Sequence, residues 1–351
     1  MAETKHDPDE TKKVSGDQPL FDTGVPPFQG GIHPVDMGAD KSPIAGMPSG
    51  VKMPTDLDGK PPEGWKPPPA DISWVVRKYL DLPYDTLSKA QCLDIFLPDN
   101  GTGPFPVILQ IHGGAFAIGD KRDMHLLPFL RGIGRGYAVV SVNYRLSAEA
   151  IFPAAVQDVR SAVRWIRTNQ AQYHLDGKRI GACGGSAGGN LAAMLGVTGQ
   201  TFEFDDPRLG DTGLSPEVEV VVDWFGPIDF LVMDEQLAQN GFGISDHNEP
   251  SSPESRYMGA PIQEVSERAR LANPTTYIHP NLPPFFIQHG RIDRLVPVQQ
   301  SINFHQALGK VLQPANLKFE ILEGAGHGDP LFETDFNMEK VFSFLDANLK
   351  I

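Results

Sequence analysis

The chain has 351 residues, of which 40% are hydrophobic, and a formal net charge of −14. This length and apolar content suffice for one large domain, or two modest ones, with a substantial core. The negative charge disfavours nucleic acid and anionic membranes as partners, because both attract a net positive surface. The 2 cysteines, Cys92 and Cys183, lie far apart, which argues against a disulfide framework.

The N-terminus, MAETKHDPDE, has no apolar stretch of the kind found in secretory signals and membrane anchors. No later segment reaches the roughly 18 consecutive apolar residues of a membrane span. We therefore expect a cytoplasmic protein without a membrane partner. The sequence leaves a homodimer open.

Residues 1–70 differ in composition from the rest of the chain. They contain turn sequences such as GVPPFQGG and KPPPAD and almost no periodic apolar pattern. We expect a Pro/Gly-rich N-terminal extension that forms no core of its own. It is either a disordered leader or an arm laid along the following domain, with Phe28 and Trp65 as candidate anchors.

From residue 71 onward, strand-like segments alternate with helix-like ones. Several of the strand-like runs are continuous apolar stretches, as expected in a sheet covered on both faces. The runs are SWVVRKYL, QCLDIFL, FPVILQIH, YAVVSVNY, RIGACGG, VEVVVDWF, PPFFIQHG and LKFEIL. The alternation predicts an α/β fold, a doubly wound and mainly parallel eight-stranded sheet. Ligand chemistry then belongs at the carboxyl ends of the strands.

Two helices are predicted from apolar residues spaced three to four apart. The helix in AAVQDVRSAVRWI would bury Ala155, Val156, Val159, Ala162, Val163 and Ile166. The C-terminal helix would bury Phe332, Phe336, Val341, Phe342 and Leu345. Residues 226–282 are too long for a simple connection, so the predicted domain, residues 71–351, should carry them as a cap over the site.

The segment GACGGSAGG fits the pattern G-x-S-x-G around Ser186. An apolar strand precedes it and the helix-like GGNLAAMLGV follows, which is the setting of a nucleophile elbow. A chain that passes from strand to helix this abruptly strains its middle residue, and Gly184 and Gly188 remove side chains that would collide there. The segment lacks the G-K-[ST] ending of a phosphate-binding P-loop. Ser186 is therefore the predicted nucleophile.

Attack by a serine on a carbonyl creates an oxyanion, which needs N–H donors already in place. The motif HGGAF ends a strand upstream of the elbow, and its glycines let backbone N–H groups turn towards the site. We predict that the amides of Gly113, Gly114 and Ala187 form the oxyanion hole.

His327, in the glycine-rich loop after the last strand, is the predicted general base because it completes the order serine, acid, histidine. Asp293, just past the penultimate strand, is the predicted acid that orients the imidazole. Asp223, which also follows an adjacent strand, is the alternative acid. Surface positions are expected for His125, His174, His247, His279 and His305.

Two further features are expected to be structural. Arg145 and Asp158 should form a scaffold ion pair, and Cys183 should be a small core residue rather than a nucleophile. An apolar wall should bind the substrate. It would comprise the cap and Phe116, Met124, Trp224 and Phe225.

Six motifs in order resemble the esterase/lipase branch of the α/β-hydrolase superfamily, over residues 71–351. They are HGGAF, NYRLSAEAIFPAAVQDVRSAVRWI, GGSAGGNLAA, DWFGPIDF, HGRIDRLVP and GAGHG. The chain looks similar to bacterial feruloyl-esterase-like and acetyl-ester-cleaving enzymes. Three departures from the hormone-sensitive-lipase pattern favour this branch. The chain has Ala115 where glycine is common, Ala148 where proline is common and Gly185 where aspartate is common.

The resemblance implies a serine carboxylesterase that acts on a small ester through a Ser186–His327–Asp293 triad and an acyl-enzyme, with no metal or other cofactor. Short-chain or aromatic esters suit the apolar wall. Two alternatives stay open: feruloyl or acetyl-xylan ester hydrolysis on plant polysaccharides, and a non-catalytic ligand-binding homologue.

Overall fold

The computed structural model describes residue 1, residues 64–210 and residues 212–350. Its strands are β1 Lys78–Pro83, β2 Cys92–Phe96, β3 Phe105–Ile111, β4 Ala138–Val142, β5 Leu175–Gly185, β6 Val220–Trp224, β7 Phe285–Gly290 and β8 Leu317–Leu322. They form one sheet in the order β1-β2-β4-β3-β5-β6-β7-β8. The β1–β2 and β2–β4 pairs are antiparallel, and the pairs from β4 to β8 are parallel. The predicted eight-stranded, mainly parallel sheet is confirmed.

Helices cover both faces of this sheet. They are α1 Leu127–Leu130, α2 Ala154–Asn169, α3 Ala187–Thr198, α4 Met233–Asn240, α5 Pro253–Met258, α6 Ser266–Leu271, α7 Gln299–Leu308 and α8 Asp335–Leu349. Alternate residues of β3 point to opposite faces, with Leu109 in the core beneath α2, α3 and α7 and Ile108 in the core beneath α1 and α8. The doubly wound arrangement expected from the apolar strands is therefore present.

Helix α2 buries the face that its spacing predicts, since all six of its expected core residues are fully buried. The predicted scaffold pair is also present. Buried Asp158 accepts hydrogen bonds from Arg145 Nη2 at 2.7 Å and from Gln91 Nε2 at 2.8 Å. Cys183 lies in the core, where burial raises the pKa of its thiol, and both cysteines are free.

Two expectations about local structure were wrong. The first strand begins at Lys78, later than predicted, because the preceding residues form a turn in which Val75 N donates to Ile72 O at 3.2 Å, and Trp74 and Val76 are 42% and 78% exposed. Phe336 is 76% exposed. The reason is that α8 begins only at Asp335, and the buried Phe332 lies in a separate 3₁₀ turn before it. The spacing from Phe332 to Phe336 therefore does not place Phe336 on the buried face of the helix.

The predicted N-terminal extension lies mostly outside the described residues, and Phe28 is among those left out. Its last residues pair with the segment before α1: Pro68 O accepts from Met124 N at 2.8 Å, and Ala70 N donates to Arg122 O at 2.7 Å. The domain boundary near residue 70 stays a prediction. Among the residues described, no helix is long and apolar enough to cross a membrane.

Residues 226–282 connect β6 to β7 and contain α4, α5 and α6 together with two 3₁₀ turns, Phe230–Val232 and Pro274–Tyr277. The segment is therefore a helical insertion between two neighbouring parallel strands. It lies at the carboxyl end of β6, which is the edge of the sheet where β5 also ends.

The two phenylalanines of α8 give a matched test of this packing. Phe342 is 2% exposed and Phe336 is 76% exposed. We expect Phe342→Ala to lower the free energy of unfolding by about 3–5 kcal/mol through the lost burial and the cavity left behind. Phe336→Ala should change it by less than about 1 kcal/mol, the scale of its ring contact with Lys340. Urea unfolding measures both, and equal losses would contradict the assigned phase of the helix.

Candidate active site

Ser186 occupies the single position between β5 and α3. Its backbone has φ 57° and ψ −126°, a conformation that residues other than glycine rarely adopt. Its amide donates to Trp224 O at 2.9 Å, and its carbonyl accepts from Asn190 N at 3.1 Å. These two bonds hold the strained residue in place, which raises its side chain above the end of the central strand.

The flanking glycines are required by contact with backbone. A Cβ atom on Gly184 would overlap the Gly188 carbonyl, and one on Gly188 would overlap the carbonyl oxygen of Ile111 in β3. The predicted reason for these two glycines is confirmed. Any larger residue at either position would have to displace backbone of the central sheet.

His327 bridges the serine and a buried carboxylate. Its Nε2 lies 2.9 Å from Ser186 Oγ, and its Nδ1 lies 2.7 Å from Asp293 Oδ2. An ionised carboxylate can only accept, so Nδ1 carries the proton and Nε2 is left to accept from the serine hydroxyl. The structure thus brings the three predicted triad residues into one hydrogen-bonded chain, in the geometry needed for proton transfer from serine to imidazole.

Asp293 is fully buried yet well supplied with donors. Its Oδ1 accepts from Leu295 N and Val296 N, each at 2.9 Å. Its Oδ2 lies near two imidazoles, 2.7 Å from His327 Nδ1 and 3.3 Å from His289 Nε2. Burial alone would raise the pKa of Asp293, but the charges and hydrogen bonds of His327 and His289 hold it well below its usual range. The carboxylate is therefore ionised at neutral pH.

Asp223, the alternative acid, makes no bond to His327. It is fully buried at the end of β6, and its Oδ1 accepts from Gly226 N at 3.0 Å. Its Oδ2 has no hydrogen-bond partner within the described part of the chain. Burial raises the pKa of this carboxyl from 3.8 to about 6. Of the two candidate acids, only Asp293 contacts the imidazole that it would orient.

The loop after β3 carries the predicted oxyanion glycines. Buried His112 stacks on Tyr144 with ring centroids 4.4 Å apart, and its Nδ1 lies 2.7 Å from Gly113 O. Since a carbonyl oxygen only accepts, Nδ1–H is the donor. In a trans peptide the N–H points away from the C=O, so the amide of Gly114 is turned away from the buried ring. Gly113 itself lies directly beside Ser186, because a Cβ atom on it would be 3.5 Å from Ser186 Cβ.

Positive φ angles continue past the glycines of this loop, to 55° at Ala115 and 57° at Phe116. The ring of Phe116 stacks on Tyr257 of α5, with centroids 3.9 Å apart and planes 1° from parallel, and packs edge-on against Phe230. Aromatic contact with the 226–282 insertion therefore supports the strained loop. Ala187, the third predicted donor, is the first residue of α3, where amides lack helical partners.

The residues of the predicted substrate wall are all largely buried. Phe225 packs edge-on against the His327 ring at 4.8 Å. Trp224 is also buried, and its Nε1 donates to Gln288 Oε1 at 2.8 Å. Phe116 and Met124 are 1% and 7% exposed. Contact between these side chains and a substrate stays a prediction.

Two histidines expected at the surface are buried or half-buried. His247 is buried, and its Nδ1 lies 2.8 Å from Asp234 Oδ1. His125 is half-buried beside Gly113, near the serine. Sequence reasoning missed His125 because the turn containing it is short, although the spacing Asp123-x-His125 directly after the HGGAF loop was an available signal.

The buried carboxyl of Asp223 predicts a pH-dependent stability. Because its pKa is about 6 when folded and near 3.8 when unfolded, the folded state loses stability as pH rises from 4 to 6. Asp223→Asn removes this titration. Relative to the parent, we expect the variant to gain about 3 kcal/mol of unfolding free energy between pH 4 and pH 7.

Asp293→Asn is the matched control. The lowered pKa of Asp293 contributes stability that is present above its unfolded pKa and lost as pH falls. This variant should therefore fall further behind the parent as pH rises from 3 to about 5. Urea unfolding at several pH values separates the two cases, and parallel curves for both variants would contradict the assigned charges.

Comparison with known proteins identifies the family. The BD-FAE family model matches residues 93–308. The chain is 31% identical over 253 residues to "Probable carboxylic ester hydrolase LipM" of Mycobacterium tuberculosis, covering 70% of this chain and 56% of the relative. It is 32% identical over 258 residues to "Esterase LipQ" of the same organism, covering 72% and 58%. It thus spans less than two thirds of these relatives.

Among solved structures, a truncated form of a carbohydrate esterase from gut microbiota matches 81% of this chain and all of its own, with a TM-score of 0.69 and 29% identity. The shared fold runs through the whole of that truncated chain. Together with the sheet order and the motif order, the family match leads to one assignment: the chain belongs to the BD-FAE family, in the feruloyl-esterase-like branch of the α/β-hydrolase superfamily.

Proposed function

We propose that this protein is a serine carboxylesterase that hydrolyses short-chain or aromatic carboxylic esters through an acyl-enzyme on Ser186. The observation that carries the proposal is the hydrogen-bonded chain from Ser186 Oγ through His327 to Asp293, with distances of 2.9 Å and 2.7 Å. The esterase names of the relatives support the same reaction class.

In the acylation step, His327 Nε2 takes the hydroxyl proton as Ser186 Oγ attacks the ester carbonyl. The imidazolium that forms is stabilised by the ionised Asp293 carboxylate, which already accepts from Nδ1. As the tetrahedral intermediate collapses, the C–O bond to the alcohol breaks, and Nε2–H protonates the departing oxygen. The acyl group stays on Oγ.

In the deacylation step, the neutral His327 takes a proton from water, and the hydroxide attacks the acyl carbonyl. Collapse returns the proton to Ser186 Oγ and releases the carboxylic acid. Both steps develop negative charge on the carbonyl oxygen. The amides of Gly113, Gly114 and Ala187 are the proposed donors to it, and the N-terminus of α3 adds its positive dipole end.

Esters of saccharides are the second candidate substrate. The observation in their favour is the similarity to a carbohydrate esterase over the whole of that chain. Triad chemistry is the same for a plain and a saccharide ester, so the residues that contact the alcohol group decide between them.

The alternative hypothesis is that the protein binds a ligand without catalysing a reaction. A receptor has no need of a serine strained to φ 57° and bonded to an imidazole–carboxylate pair, so this geometry supports catalysis. A fluorophosphonate probe should add its mass to Ser186 in the parent and not in Ser186→Ala. Absence of labelling in the folded parent protein would favour the binder.

Substitution of the triad tests the roles directly. With p-nitrophenyl butyrate, Ser186→Ala and His327→Ala should each lower kcat by about 10⁶-fold, and Asp293→Ala by about 10⁴-fold, because the residues act as a unit. Asp223→Asn is the control for a buried carboxyl outside the triad and should stay within about 3-fold of the parent. Near-parent turnover by Asp293→Ala would overturn the assignment of the acid.

A further inference from the structure

A second imidazole faces the serine from the side of the oxyanion loop. His125 lies in a 3₁₀ turn, Met124–Leu126, and its side chain is 31% exposed. Its Nδ1 is 2.8 Å from Asp123 Oδ1, and its backbone amide donates to the same oxygen at 2.9 Å. Asp123 is buried, so the ring is held by a carboxylate that does not move into solvent.

His125 and Ser186 both lie next to Gly113. A Cβ atom on Gly113 would lie 3.6 Å from His125 Nε2 and 3.5 Å from Ser186 Cβ. The imidazole and the serine therefore both border the small space beside the α-carbon of Gly113. A substrate whose carbonyl oxygen reaches the amides of Gly113 and Gly114 brings its neighbouring groups within reach of Nε2.

The carboxylate also fixes which ring nitrogen is available. Because Asp123 accepts, Nδ1 carries the proton, and Nε2 is the outward atom. Within the described part of the chain, Nε2 has no hydrogen-bond partner. A half-buried imidazole held by a buried carboxylate, with its second nitrogen directed to the edge of a nucleophile site, has the form of a ligand-binding group.

The surrounding charges select the kind of group it binds. Burial opposes protonation of His125, but Asp123 and Glu333 raise its pKa above the ordinary value. The other imidazole nearby, His112, is kept neutral because burial lowers its pKa. Two carboxyl groups beside one imidazole leave no excess positive charge for an anion, so a neutral hydroxyl is the better partner.

We propose that His125, held by Asp123, is a specificity-determining residue whose Nε2 hydrogen-bonds a hydroxyl group of the ester substrate. This inference rests on the proposed esterase function and deepens it. It favours esters of small polyols or saccharides, or of hydroxy acids, over plain alkyl esters. The hydroxyl has to lie within a few bonds of the reacting carbonyl, because the imidazole and the serine border one small space.

Two variants separate the roles of the two ring nitrogens of His125. His125→Asn places its side-chain nitrogen where Nδ1 is, so it keeps the bond to Asp123 and loses the outward atom. His125→Gln places a polar nitrogen near the position of Nε2 and gives up the inner bond. His305→Asn, at a half-exposed histidine in α7 far along the chain from the site, is the control for loss of an imidazole.

The substrates form two pairs. Propyl acetate and glycerol monoacetate differ by hydroxyls on the alcohol side, and methyl butyrate and methyl 3-hydroxybutyrate differ by one on the acyl side. Acid release gives kcat/KM for each. In at least one pair the parent should prefer the hydroxylated ester. His125→Asn should lower kcat/KM for that ester by about 10- to 100-fold, and it should change kcat/KM for the ester without the hydroxyl by less than about 3-fold. His125→Gln should recover part of the loss.

The pair in which His125→Asn lowers the preference for the hydroxylated ester shows whether His125 contacts the alcohol side or the acyl side. Equal losses for hydroxylated and plain esters would overturn the proposal, since they would mean a general structural role. A parent protein without preference in either pair would overturn it as well. If the parent hydrolyses no ester and no fluorophosphonate labels Ser186, the proposed function itself fails, which is a different result from normal hydrolysis without discrimination.

Discussion

The whole site depends on the chain passing from β5 into α3 within one residue. That transition forces Ser186 to φ 57°, and it is tolerated only because Gly184 and Gly188 let the elbow lie against the backbone of β3. Since β5 is central in the sheet, loops from the ends of β3, β7 and β8 converge on the same point. The imidazole, the carboxylate and the oxyanion glycines thus come from distant parts of the sequence but meet around one hydroxyl.

Charge around that hydroxyl is set by hydrogen bonding more than by burial. Asp293 and Asp223 are both fully buried at the ends of neighbouring strands. Two backbone amides and two imidazoles surround Asp293 and keep it ionised, whereas Asp223 has one amide and a raised pKa. The same residue type therefore stays ionised over a wide pH range in one place and resists ionisation up to about pH 6 in the other, and it is the first, Asp293, that contacts the imidazole.

The sequence predicted those parts of the structure that depend on local pattern. Eight apolar runs identified the strands, and the glycines around Ser186 identified the elbow, because both follow from backbone sterics. Phe336 was misassigned because the helix start at Asp335 depends on a cap that the apolar spacing does not report. The placement of His125 depends on tertiary packing of a short turn against Gly113, and the choice between Asp293 and Asp223 depends on which loop reaches His327, so neither follows from spacing alone.

The central claim is that an ester's acyl group passes through the oxygen of Ser186. Rapid mixing with p-nitrophenyl butyrate, an acid quench within the first turnover and mass spectrometry of the digested protein would locate that group. An acyl-enzyme on Ser186 should give a butyryl adduct on the peptide containing Ser186, formed with the first equivalent of p-nitrophenol. Turnover with the adduct on another residue, or a burst of p-nitrophenol with no adduct on Ser186, would contradict this assignment.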